Sequence, residues 1–241
     1  MFLSIDECEG HGKCVLGLIA IPLNQVANLE RDFCVIRLET KTMGEISWKK
    51  ISKNYIKKYL QFLDLFLNNT DATFHSITYS RDKKYNAAYS LIRTVSWKLW
   101  NAGIKNDSEL FILFDQNTEA FPKPETIEVG GTKMIEVQEF KSSYDAIKKI
   151  SAGDFRFRHK ITYCNQGASH QLGLLQLTDL LTGAMSAVIN NIKLSEEHTE
   201  LIGHIYKSIG HDFEASRAEL SLPKLKSYKL HFLDPLVKTS G

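Results

Sequence analysis

The stretch Leu172–Ala184, LGLLQLTDLLTGA, decides how the rest of the chain is read. It is strongly apolar, it predicts a helix, and it holds one carboxylate near its middle, Asp179. An Asp there weakens a helix and is costly if buried without a partner. Leu174, Leu177, Leu181, Ala184, Met185 and Val188 fall on one helical face. Leu172, Gln176, Asp179, Thr182, Gly183 and Ser186 fall on another, small and polar around the Asp. The first face predicts a core contact; the second presents a carboxylate to something else. Taken alone, Asp179 reads first as a carboxylate at a core edge, so any further meaning depends on the other acidic positions.

Outward from this helix, several apolar runs end in acid. Met1–Asp6 is a short apolar run closed by Asp6-Glu7, and Cys14–Pro22 is a second run, rich in branched residues. With glycines between them they predict a buried β-hairpin, ended by Pro22. Asn24 is placed to cap a helix carrying Val26, Leu29, Phe33 and Ile36. Glu45–Trp48 predicts an irregular segment, and Ser52–Asn68 an amphipathic helix with Ile56, Tyr59, Leu60, Leu63 and Leu67 inward. Ala72–Tyr79 predicts a strand, Asp82–Ala102 a helix, and Glu109–Phe114 a short apolar strand ending at Asp115. Met134–Phe140 and the alternating Asp154–Cys164 predict further strands. Asn165–Gln171 predicts a polar loop, Glu196–Ile209 a helix, and Lys229–Leu236 a last strand. No repeat or low-complexity linker interrupts the chain.

The 241 residues suit one large domain with a modest extension, and 43% hydrophobic with 24% charged residues is ordinary for a globular protein. A net charge of +2 excludes a polycation, so any nucleic-acid affinity has to come from local patches. Four cysteines are too few for a disulfide scaffold and predict reduced thiols. Cys8, His11 and Cys14 are evenly spaced, but no second Cys/His pair completes a zinc site. The first residues do not read as a signal peptide, and no apolar run is long enough to span a bilayer. The expectation is a soluble cytoplasmic protein that does not engage membranes.

Asp6, Asp115 and Asp179 share a character: two end apolar strands and one lies within an apolar helix. Each alone reads as a turn or cap residue. Together they form an all-oxygen donor set suited to Mg²⁺ or Mn²⁺, which would relieve the repulsion of like charges. A pair of such ions can activate water and stabilise the leaving oxygen of a phosphodiester. Glu45, in GEISW, competes with Glu7 and Glu39 for a fourth place, and spacing does not choose among them. Gly183 and Ser186 would leave room beside Asp179 for strand ends and ions.

FLSIDECEG resembles the opening of an uncharacterised family, domain of unknown function 3800, whose first strand ends in Asp-Glu-Ser-Gly; here Cys8 replaces the Ser and one residue is inserted. GEISWKKIS is similar to that family's Glu-Leu-His-Trp-like segment, with Glu45 at the acidic position and Ser47 where His is usual. LFILFDQN resembles its strand ending in Asp. Ser169 followed by LLQLTDLLTGA resembles its Ser, short spacer and Leu-Gln-Leu-Ala-Asp-Leu-Leu-Ala-Gly-Ala. The resemblance implies an α/β fold, a ribonuclease H-like mixed sheet flanked by helices over residues 1–192. A helical C-terminal extension over 193–241 would pack on the same domain. It also implies Asp6, Glu45, Asp115 and Asp179 as metal ligands and catalytic residues, with Glu7 auxiliary. The activity implied is that of a metal-dependent nuclease acting on DNA or RNA, with a link to phage defence. The competing class is a non-catalytic module on the same fold, binding nucleic acid, a protein partner or a second copy of the chain.

Candidate phosphate contacts are Arg156, Arg158, His159 and Lys160, which read equally as charges guarding an edge strand. Lys49, Lys50, Lys53, Lys57 and Lys58 read as a solvated helix face, with Lys49 nearest the acidic segment. Arg81, Lys83 and Lys84 open a helix, where cations are unfavourable on dipole grounds and point to an outside anion. Ser169 is placed to cap the Asp179 helix or touch substrate, and His170 to move a proton or simply be solvated. Trp48, Trp97 and Trp100 read as packing residues, with stacking on a base as the alternative for Trp48.

Overall fold

The computed structural model describes residues 1–9, 13–41, 44–69, 71–79, 84–101, 103, 109–115, 126–129, 132–136, 147, 152, 159–168, 172–209 and 230–233. The Phe2–Cys8 and Cys14–Ile21 runs form strands β1 and β2, paired antiparallel with Phe2 opposite Ile21 and Cys8 opposite Val15. After helices α1 (Leu23–Glu39) and α2 (Ile56–Leu67), strand β3 (Thr73–Tyr79) pairs antiparallel with β2. Helix α3 (Lys84–Asn101) leads to β4 (Leu110–Asp115), which lies parallel to β1. Strands β5 (Thr126–Val129) and β6 (Thr132–Glu136) form a separate antiparallel pair. Strand β7 (Ile161–Gly167) lies parallel to β4. Helices α4 (Gly173–Ile189) and α5 (Glu196–Ile209) follow, and short β8 (Leu230–Leu233) lies parallel to β3. The result is an α/β fold with a mixed sheet in the order β7-β4-β1-β2-β3-β8, in which β2 alone runs against the others. No helix among the described residues is long and apolar enough to cross a membrane.

Alternation along β1 and β2 divides the core. Leu3, Ile5, Leu16 and Leu18 pack toward α3 with Tyr89, Ile92 and Val95. Val15, Ile19 and Ile21 pack toward α1, α2, α4 and α5 with Phe33, Phe62, Leu177 and Leu201. Both faces are covered, which is why β2 is buried along its whole length. Leu201, Ile202 and Ile205 place α5 in the same core as the first strands.

Several expectations shift. Pro22 ends β2 and α1 starts at once on Leu23, so Asn24 falls inside the helix and caps nothing. In α2, Phe62 and Phe66 are fully buried inward residues, and Lys58 is only 4% exposed rather than part of a solvated basic face. Burial, with Arg37 nearby, holds the Lys58 ammonium below the usual lysine range. Strand β7 starts at Ile161 and runs through Asn165–Gly167, which the polar composition assigns to a loop. His159 is buried and bonded through Nδ1 to Ser96 Oγ at 2.7 Å, so it contacts no outside phosphate. Trp97 is half exposed rather than packed. No disulfide joins the four cysteines.

Helix α4 takes its N-terminal cap from a distant residue. The backbone N–H groups of Gly173 and Leu174 both donate to the Glu30 carboxylate of α1, each at 2.8 Å. These are orphan donors of the first turn, and the negative charge also complements the helix dipole. The role offered to Ser169, which lies outside the described residues, is thus filled by Glu30. Glu30→Ala is expected to cost about 1–2 kcal/mol of stability, read as a lower urea midpoint. An unchanged midpoint would mean that water replaces the carboxylate at no cost.

Candidate functional site

The parallel register between β1 and β4 runs from Phe2 opposite Phe111 to Ile5 opposite Phe114. One step further brings Asp6 beside Asp115, each buried and each on the sheet face toward α4. Helix α4 is fixed across that face by a buried seam. Ser4 Oγ and Thr178 Oγ1 are hydrogen-bonded at 2.7 Å, and Thr178 Oγ1 also donates to the Leu174 carbonyl at 2.7 Å. Gly17 of β2 admits Thr182, because a Cβ there would collide with its hydroxyl and with Phe74. The small polar face of α4 therefore packs on the sheet. It is as buried as the apolar face, and Asp179 is the only residue from Gly173 to Ala187 that is not fully buried. This corrects the expectation of one packed and one presenting face.

The seam delivers Asp179 to Asp6. The two carboxyls are within hydrogen-bond reach and titrate as a pair. Burial, then the charges of Asp179 and Asp115, push the Asp6 carboxyl well above its ordinary range. Asp179 is pushed up to about 6, by burial first; the Trp48 amide and the Asp6 hydrogen bond oppose the rise, while Asp115 and Glu45 add to it. Carboxyls that are buried and crowded in this way take up a proton or await a cation.

The segment carrying Glu45 is held over this cluster by its backbone. Ile46 N–H donates to Gln176 Oε1 at 2.9 Å, and Trp48 N–H donates to Asp179 Oδ2 at 2.7 Å. Between them, the Ser47 amide meets the buried Tyr59 hydroxyl of α2. Three successive amides are thereby satisfied by two helices. The Trp48 ring lies on Gly183, where a Cβ would strike the indole. Gly183 thus makes room for Trp48 rather than for ions, and Ser186 bonds Cys8 at the end of β1. The Lys50 ammonium pairs with Glu45 Oε2 at 2.5 Å.

Asp6, Cys8, Glu45, Trp48, Asp115 and Asp179 line one open cavity of about 590 Å³, with Lys49 and Lys50 on its wall. The donor set is hard, oxygen-rich and short of positive charge, which fits Mg²⁺ or Mn²⁺. Among the described residues no three His, Cys, Asp or Glu side chains are already gathered around one point.

Of the residues expected at the site, Asp6, Glu45, Asp115, Asp179 and Lys49 share this cavity. Glu7 also borders it, but its carboxylate accepts from Tyr79 Oη at 3.0 Å; alternation turns it to the α3 side of β1. Glu39 ends α1 and does not line the cavity. Lys160 stands just before β7, paired with Glu109 at 3.9 Å, at the opposite end of the parallel strands from Asp115. Ser169, His170, Arg156, Arg158, Arg81 and Lys83 lie outside the described residues. Sequence reading passed over Gln176, Tyr59 and Lys50. Gln176 carried a usable signal, one helical turn before Asp179 on the same face. No family model matches the chain, and no curated protein matches it.

Proposed function

We propose that the protein is a divalent-metal-dependent phosphodiesterase, in its simplest form a nuclease, built on a ribonuclease H-like sheet. The observation that carries the reading is the convergence of Asp6, Asp115 and Asp179 on one cavity, from two neighbouring strand ends and a helix. The strand order β7-β4-β1-β2-β3, with β2 alone reversed, supports that fold, and β8 is an addition at its edge. The resemblance of the Asp6, Glu45, Asp115 and Asp179 segments to the domain of unknown function 3800 family supports it independently. It also supports a role in defence against phage or mobile DNA.

Asp6, Asp115, Asp179 and Glu45 would hold the ions. Mg²⁺ or Mn²⁺ supplies positive charge that polarises a phosphoryl oxygen and acidifies water. A cation held there would favour the ionised form of both Asp6 and Asp179. Gln176 and Tyr59 keep the Glu45 segment in place, and Asp179 serves both that segment and the ions. Lys49 and Lys50, exposed at the cavity wall, neutralise the phosphates flanking the scissile bond.

One observation favours a second reading, a binding module on the same fold: the Lys50 ammonium already occupies Glu45. A panel of single- and double-stranded DNA and RNA, assayed with EDTA, Mg²⁺ and Mn²⁺, tests the proposal. Cleavage of at least one substrate only with metal is expected. No cleavage of any of them, with retained nucleic-acid binding, would favour the module.

A further inference from the structure

Helix α5 begins beside the Glu45 segment, and a side chain of its first turn touches that segment directly. His198 Nε2 lies 3.1 Å from the Trp48 carbonyl oxygen. A carbonyl only accepts, so Nε2 carries the hydrogen and donates. The other ring nitrogen, Nδ1, is 2.8 Å from Ser195 Oγ, the residue just before the helix, and the His198 amide donates to the same oxygen at 3.4 Å. The imidazole is therefore oriented by the start of its own helix. Its ring also meets the Trp48 indole edge-on, with centroids 4.5 Å apart.

Trp48 is consequently held at every handle. Its amide donates to Asp179, its carbonyl accepts from His198, and its ring is confined between Gly183 and the imidazole. Apart from His198, the hydrogen bonds described above on the Ile46, Ser47 and Trp48 amides come from α2 and α4. We infer that His198 is a positioning residue: by fixing the Trp48 carbonyl and ring it sets where Glu45 and the Asp179 carboxylate stand relative to Asp6 and Asp115. Residues 193–209 are then part of the site's frame and not an appendage to it. This rests on the carboxylate cluster being a metal site, as proposed above, for its functional consequence alone; the hold on the segment is physical and stands apart.

The test compares His198→Ala with His198→Gln, whose amide N–H can replace the Nε2 donor. Ser195→Ala serves as a milder variant that keeps the imidazole but releases it. Amide hydrogen exchange at residues 46–48 and Mn²⁺ affinity by electron paramagnetic resonance are read on the full chain. His198→Ala is expected to speed exchange at these amides at least tenfold and weaken Mn²⁺ binding about tenfold, with Gln restoring most of both. Unchanged exchange in both His198→Ala and Ser195→Ala overturns the inference, as does failure of Gln to rescue. If the wild type binds no Mn²⁺, the metal reading falls, and the exchange measurement still decides whether His198 holds the segment.

Discussion

Asp6→Asn and Asp179→Asn should each lower Mn²⁺-dependent cleavage on the order of 10³-fold while the protein stays folded. Both changes preserve shape and hydrogen bonding. An Asn at 179 still offers a carbonyl oxygen to the Trp48 amide, so the Glu45 segment keeps its anchor. An Asn at 6 can still hydrogen-bond to Asp179. What each variant removes is a carboxylate that would face the proposed cation. Circular dichroism and a melting curve establish the fold, and single-turnover cleavage measures the loss. Wild-type rates in both variants would sink the mechanism, because no other described carboxylates converge on the sheet edge in this way.

The same pair governs how the metal-free protein responds to pH. Asp179 has an ordinary value of 3.8 and is raised to about 6 in the fold, and Asp6 is raised further in the same direction. A raised carboxyl binds its proton more tightly when folded, so the native state carries more protons than the unfolded state between those values. Stability from this source is fully present below about 3.8 and is lost as pH rises toward about 6. For Asp179 the loss is on the order of 3 kcal/mol at most. Other carboxylates titrate in the same range, so the useful quantity is the difference between wild type and Asp179→Asn. That difference is expected to move against the wild type between pH 4 and pH 7, leaving the Asn variant the more stable at neutral pH. Saturating Mn²⁺ should reverse it, since an ion that binds only the native state stabilises it. A difference that stays flat with pH would show that the Asp179 carboxyl is not raised in the fold.

How far the chain could be read without its structure varied with how local the physics was. The β1–β2 hairpin, the end of β4 at Asp115 and the length of α5 follow from short-range pattern, and they stand. The faces of α4 were misread because periodicity reports polarity and not what lies opposite. Ser4 and Gly17 supply a polar, shallow partner, which makes a small polar face as buried as an apolar one. Lys58 is concealed for a similar reason: composition marks it as exposed, yet the fold buries it with Arg37 of α1 nearby. The choice of Glu45 over Glu39 depends on backbone bonds to Gln176 and Tyr59, and no spacing rule contains those. The Glu30 cap is equally non-local, separated by 143 residues from the helix it closes.

The Ser4–Thr178 seam joins residues 174 apart. On a ribosome adding 5–20 residues per second, roughly ten to thirty-five seconds separate the making of these two side chains. During that interval the apolar first strands exist without the helix that covers one of their faces, and Asp6 has no Asp179 to meet. The cluster cannot form on a growing chain whose last synthesised residue precedes α4. Whatever chemistry the cluster performs is therefore withheld until α4 has been synthesised, with no inhibitor required for the purpose.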